Sequence, residues 1–336
     1  MRKALAWLSV PVVLAWSALA AAAPPRSLAA AEASLPGDVE VLAAANVKTL
    51  RTSQLYTRAF GQLVSAERDV REGLGKVKQA CGIDADKVVD DLTVGVGPRE
   101  SGAVFIAVSG LTEKQLVDCI AKIAQQEAGE QLLSKKTGAI TELGSSKSSN
   151  KIYFAWLPGD VLAVATEPDD KALLERMLGG KGGVKKTKAF QRLKAHDQES
   201  VLLAGWTKRI PGGGLELKSG SLGLLYKGAR VAAEAVLETG SADEADQVAA
   251  ATKLLGSMLG LPKDAPKQID TIIKTVEAKT NGPEVKVTAN ASEADLIAVL
   301  DWAMKKQGIG TSSSTSGRGG SKPPSTTKAA PGPQTR

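Results

Sequence analysis

The chain of 336 residues contains one histidine, two cysteines and twelve aromatic side chains (five Trp, three Tyr, four Phe). Each shortage closes a route. A single imidazole, His196, cannot build a zinc site of the usual His/Cys type. Serine catalysis would also hang on that one residue, which lies in the polar run Lys194-Ala-His-Asp-Gln198, read as an exposed loop, and no Gly-x-Ser-x-Gly elbow accompanies it. Few aromatics withdraw the stacking faces on which sugar-binding clefts rely. The two cysteines, Cys81 and Cys119, allow one bridge, and in an exported chain that pairing is the expected state. Closing a loop of about 39 residues stabilises by at most ~4 kcal/mol.

Long apolar runs are also missing, apart from the one at the N-terminus. Met1-Arg2-Lys3 precedes an apolar stretch from Ala4 to Leu19, and Ala18-Leu19-Ala20 supplies small residues for cleavage. That order of basic, apolar and small residues is a secretory signal peptide, residues 1–20, and the apolar stretch is shorter than a spanning helix needs. The expected location is therefore periplasmic or secreted, with no transmembrane segment after cleavage.

A charged face is missing from the body as well. The net charge is +7; without Arg2 and Lys3 it is +5, and without Arg318, Lys322, Lys328 and Arg336 of the tail it is +1. Nucleic-acid binding needs cations concentrated on a folded surface, so that class is excluded. The tail itself, residues 309–336, is Gly, Ser, Thr and Pro with no acid, a composition that predicts disorder and that can touch an anionic surface.

The remaining motifs are fragments. Lys136-Thr137-Gly138 and Ser148-Ser-Asn-Lys151 spell two marks of penicillin-recognising serine enzymes. In those enzymes the Ser-x-x-Lys serine opens a helix far upstream of Lys-Thr-Gly. Here the order is reversed and Lys151 enters a strand, so the stretch reads as a polar loop or hairpin. Asp84, Asp86, Asp90 and Asp91 lack the oxygen ligands that an EF-hand needs at later positions, and Asp84 reads instead as the cap of a short helix. The glycines of Gly179-Gly-Lys-Gly-Gly183 and Gly212-Gly-Gly214 follow no phosphate-cradle spacing and read as loose connections. No catalytic, cofactor or metal-binding residue is assigned, and no cofactor is expected.

What the sequence has in quantity is a repeated unit: two short apolar strands, a turn, then a capped amphipathic helix. The last copy pairs Thr271–Lys279 with Glu284–Asn290 across Asn281-Gly282, a hairpin signal, and Ser292-Glu-Ala-Asp295 starts its helix. The preceding copy joins Leu222–Tyr226 to Val231–Glu238 through Lys227-Gly228 and starts its helix at Ser241-Ala-Asp-Glu-Ala-Asp246. The first half holds two looser copies. Leu92–Val96 and Ala103–Val108 lead to Thr112-Glu-Lys-Gln115, a capping box. Ile152–Leu157 and Val161–Ala165 meet at Pro158-Gly159-Asp160 and lead to a cap at Thr166-Glu-Pro-Asp169. Each half begins with a lone strand, Val39–Ala45 or Ser200–Trp206, and Thr49 to about Val77 reads as a helix broken at Gly61, Gly73 and Gly75.

The predicted fold is α+β: two similar halves of antiparallel sheet with amphipathic helices on one face, residues 21–185 and 186–308. Periodicity leaves open whether they share one sheet. The Pro36-Gly-Asp38-Val-Glu-Val opening, Cys81-Gly-Ile-Asp84 and the recurring hairpin-helix units resemble uncharacterised exported proteins of high-GC bacteria, a resemblance that implies an envelope or extracellular location and lends no catalytic residue. The expected function is a non-enzymatic binding or scaffold protein acting on an envelope or extracellular protein or polymer. The alternatives are a carboxylate-dependent hydrolase of envelope polymer and a small-molecule or lipid carrier.

Overall fold

The computed structural model describes residues 25–145, 151–194, 196, 200–207, 210–212, 215–258, 262 and 264–306; the predicted signal peptide, residues 1–20, and the basic tail, residues 309–336, lie outside them. A helix with no signature in the pattern comes first, α1 (Arg26–Ser34), and leads to β1 (Val41–Ala45). Four helices follow: α2 (Val47–Leu50), α3 (Gln54–Ala66), α4 (Arg68–Cys81) and α5 (Ala85–Val88). The glycines predicted to break this region sit inside α3 and α4, and the break falls at Glu67, which is extended (φ −96°, ψ 101°). A glycine in an exposed helix costs about 1 kcal/mol, too little to end it.

Next come β2 (Val89–Val96), β3 (Gly102–Val108) and α6 (Glu113–Ala128), whose Thr112/Gln115 capping box forms as its spacing predicts. The hairpin of β4 (Leu132–Thr137) and β5 (Ile140–Ser145) precedes β6 (Lys151–Leu157), β7 (Val161–Ala165) and α7 (Lys171–Leu178). Asp170, accepting from the Leu173 amide, caps α7 in place of the predicted Thr166 to Asp169 stretch. The second half runs α8 (Lys188–Leu193), β8 (Leu202–Trp206), a small separate hairpin of β9 (Ile210–Gly212) and β10 (Leu215–Leu217), then β11 (Ser219–Lys227) and β12 (Arg230–Glu238). It ends with α9 (Ala242–Met258), α10 (Lys267–Ile273), β13 (Glu277–Asn281), β14 (Glu284–Ser292) and α11 (Glu293–Lys306). The strand predicted from Thr271 is thus helical at its start and becomes β13 only at Glu277.

Twelve strands form one antiparallel sheet, in the order β13-β14-β12-β11-β8-β1-β2-β3-β7-β6-β5-β4. The two lone strands meet at its centre, with Val41 opposite Trp206, Ala43 opposite Ala204 and Ala45 opposite Leu202. Outward from that seam the order β1-β2-β3-β7-β6 repeats as β8-β11-β12-β14-β13. Helix α1 precedes β1 as α8 precedes β8, so the duplicated unit includes a leading helix. The predicted α+β architecture of hairpin-helix repeats is what the chain adopts, with both halves in one sheet.

The two faces of this sheet are packed differently. On the first, Leu42, Phe105 and Val161 point at Leu28, Leu35, Leu174 and Met177 from α1, its C-terminal flank and α7, and at Phe190 and Leu193 from α8. All of the largest fully buried side chains except Val285 belong to this cluster. The core therefore runs across position 185, since α8 and Leu203 close over strands of the first half. The glycines before α8 serve that closure and are not loose connections. A Cβ on Gly180 would lie 2.2 Å from the Pro36 nitrogen, and one on Gly183 would lie 2.6 Å from that of Gly37, so only glycine lets the two backbones touch. Beneath α1, Asp91 accepts from the Ser27 amide at 2.7 Å, and Arg26 pairs with Asp90 at 2.5 Å. A carboxylate on β2 thus caps a helix that has no capping side chain of its own.

Candidate functional site

The chemical fragments of the sequence do not converge. Lys136 and Thr137 lie on β4, an exposed edge strand, and Gly138 makes the turn with φ 63°. Lys136 Nζ pairs with Glu113 at 2.5 Å and Lys151 Nζ with Glu142 at 2.5 Å; Ser148 lies outside the described residues. The aspartates are spent on separate structural contacts. Asp86 accepts from the Tyr56 hydroxyl at 2.7 Å and Asp90 binds Arg26. Asp84 stands at the N-terminus of α5 without a capping hydrogen bond and pairs with Lys78 at 3.4 Å. Among the described residues no group of three or more His, Cys, Asp or Glu is placed to hold a metal ion.

Cys81 and Cys119 form the predicted disulfide, with Cα atoms 5.3 Å apart. It ties the end of α4 to the buried stripe of α6, where Cys119 is 5% exposed. Helix α4 buries only Ala80, so the bridge is its main anchor.

His196 is the chief correction to the sequence reading. Rather than hanging in an exposed loop it is 5% exposed, because β11 has a glycine beneath it. A Cβ on Gly223 would come within 2.9 Å of the imidazole, so the ring packs against bare backbone. Its Nδ1 is 3.7 Å from Glu234 Oε1, and its buried Nε2 has no hydrogen-bond partner among the described residues. Burial holds its pKa below the ordinary 6.5, with Glu234 opposing and Lys286 reinforcing that shift. Asp197 lies outside the described residues.

The feature that residue motifs could not announce is the second face of the sheet. Along one row, Leu202, Ala45, Leu92, Ile106, Leu162 and Trp156 stand side by side on six adjacent strands. A parallel row carries Ala204, Ala43, Val94, Val104 and Val164. Every one of these side chains is half-buried, whereas their neighbours one position along, on the first face, are mostly fully buried. Helices do cover this second face at its far end: α9 sets Ala245 and Ala249 on Ala278 and Val285. Over β1, β2, β3 and β7 no such cluster forms among the described residues. With strands about 4.8 Å apart and same-face residues about 6.8 Å apart, the open region spans on the order of 300 Å² of sheet. That extent matches the largest apolar patch on an ordinary monomer, which is often functional.

These rows hold aliphatic side chains and Trp156, none of which is a nucleophile, an acid or a base. No helix among the described residues is long and apolar enough to cross a membrane. No protein-family model matches the chain, and no curated protein matches it. Eight chains among the solved structures match. Two of them are crystal forms III and I of TP0453, each 12% identical over 81% of this chain; they are covered over 97% and 96% of their own lengths, with TM-scores of 0.43 and 0.42. Likenesses that distant carry no argument about what the open face binds.

Proposed function

We propose that this is an exported, non-enzymatic binding protein of the bacterial envelope or extracellular space, and that the open apolar face around β1, β2, β3 and β7 receives the apolar surface of a partner protein. The contrast between the two faces carries the reading. One chain builds a dry, tightly packed core on the first face and leaves the aliphatic side chains of the second partly exposed. At about 25 cal/mol per Å², each ~100 Å² of apolar surface left in water there forfeits roughly 2.5 kcal/mol. Export is supported by the N-terminal pattern, the disulfide and the resemblance to exported proteins of high-GC bacteria.

The test is cross-linked capture from the producing cell's envelope with three baits: the mature protein, the protein without residues 309–336, and the double variant Val104→Asp/Ile106→Asp. One protein held by the first two baits and lost by the third places binding on the open face. Capture that needs the tail assigns binding to its cations, and capture indifferent to both changes removes the proposal.

A further inference from the structure

The duplication leaves one seat unfilled. In the first half α7 lies on the first face over β3, β7 and β6, reached through the five-residue link 166–170. Its counterpart α11 follows β14 without a link and packs instead against α3 and α10. The equivalent seat over β11, β12 and β14 is a trough in two adjoining parts of about 510 and 370 Å³ that share Glu234. Its floor has lost the apolar character of the first copy. Where Phe105 and Ala163 lie under α7, the second copy places Glu234 opposite Thr288, beside Val236 opposite Lys286.

The charges in this trough balance. Arg192 of α8 reaches Glu238 at 2.5 Å and Glu284 at 3.1 Å, and Lys286 reaches Glu234 at 2.8 Å. Lys188 is held only loosely, 3.8 Å from Glu238 and with its side chain 70% exposed, and the Glu284 side chain is 45% exposed. Two residues that line the trough carry a buried polar atom without a partner among the described residues: His196 at Nε2 and Ser221, which is 0% exposed, at its hydroxyl. Such atoms cost free energy unless something binds them.

We propose that this trough binds a short peptide with free termini. A simple anion entering it meets three carboxylates, and a simple cation meets three cations. A zwitterion satisfies both sets at once, its carboxylate on Lys188 and its ammonium on Glu284, with backbone amides left for the unpartnered His196 and Ser221 atoms. Among the described residues no Phe, Tyr or Trp lines the trough, which disfavours a sugar for want of a broad stacking face. This site is on the opposite face from the apolar surface proposed above and stands independently of it.

Titration calorimetry of the whole protein with triglycine, against N-acetyl-triglycine amide, tests the assignment. The expected result is binding of triglycine that weakens at least ~tenfold when the termini are blocked and at least ~fivefold in either Lys188→Ala or Glu284→Gln. Both side chains are exposed enough that neither variant should move the unfolding midpoint, and that is checked in parallel. Equal affinity for the blocked peptide, indifference to both substitutions, or no heat up to about 10 mM triglycine would each overturn the proposal.

Discussion

Phe105 and Ile106 are neighbours on β3 whose side chains point to opposite faces of the sheet, and together they test whether the second face is open in solution. Phe105 is 0% exposed and sits in the main core, so Phe105→Ala should cost about 3–5 kcal/mol through lost burial and the cavity left behind. Ile106→Ala removes three carbons, worth about 0.8 kcal/mol each if fully buried. Ile106 is only half-buried, and solvent fills the space it leaves, so about half of that survives and no cavity term is added: roughly 1 kcal/mol. Urea unfolding followed by far-ultraviolet circular dichroism, with the slope required to stay constant, reads both values. Equal losses for the two variants would mean that something covers the second face, and the proposed binding surface would fall with that result.

Three further outcomes are expected. In Cys81→Ser/Cys119→Ser the protein should lose up to about 4 kcal/mol, with amide exchange accelerating first across residues 68–81; unchanged exchange in α4 would show that packing, not the bridge, anchors it. Because burial depresses the His196 pKa below 6.5, the unfolded chain binds more protons there than the folded one; stability is full above pH 6.5 and falls as pH drops through the folded pKa. His196 is the only histidine, so His196→Gln should flatten the unfolding midpoint between about pH 7 and 5.5, and a slope that persists would assign it to other groups. A fluorescent penicillin should leave the native protein unlabelled, with Ser148→Ala indistinguishable from it, since Lys136 is engaged by Glu113 on an exposed edge strand; covalent labelling lost in the variant would reinstate the acyl-enzyme reading.

Local chemistry made much of the fold legible. Asn281-Gly282 turns the last hairpin, with Asn281 opposite Glu284, and Ser292 accepts from the Asp295 amide at the start of α11. The cysteine pairing and the capping box at Thr112 were readable for the same reason, because each depends on few residues at fixed spacing. Helix α1 was not: Arg-Ser-Leu-Ala-Ala-Ala-Glu-Ala-Ser has no capping side chain, and its first turn is stabilised by Asp91, 64 residues away. His196 illustrates the same limit. Its burial is dictated by Gly223, and no pattern near residue 196 announces a glycine on another strand. The candidate face was half legible, since the short apolar strands Val41–Ala45, Gly102–Val108 and Val161–Ala165 carry aliphatic side chains at successive positions and so on both faces of the sheet. Which side would be left uncovered depends on where the helices land, and that is settled by links and long-range packing.

The seam between β1 and β8 has a kinetic consequence. Val41 and Trp206 are partners although 165 positions separate them, and α8, which completes the first core, lies almost as far from α1. A ribosome must release well over half of the chain before the central pairing can close. Contacts that distant in sequence slow folding, and the delay leaves the emerging polypeptide threadable for longer than two self-contained halves would allow. Under the export proposed above, lateness at the seam would keep the chain competent for a translocation channel until the far side supplies both strands together.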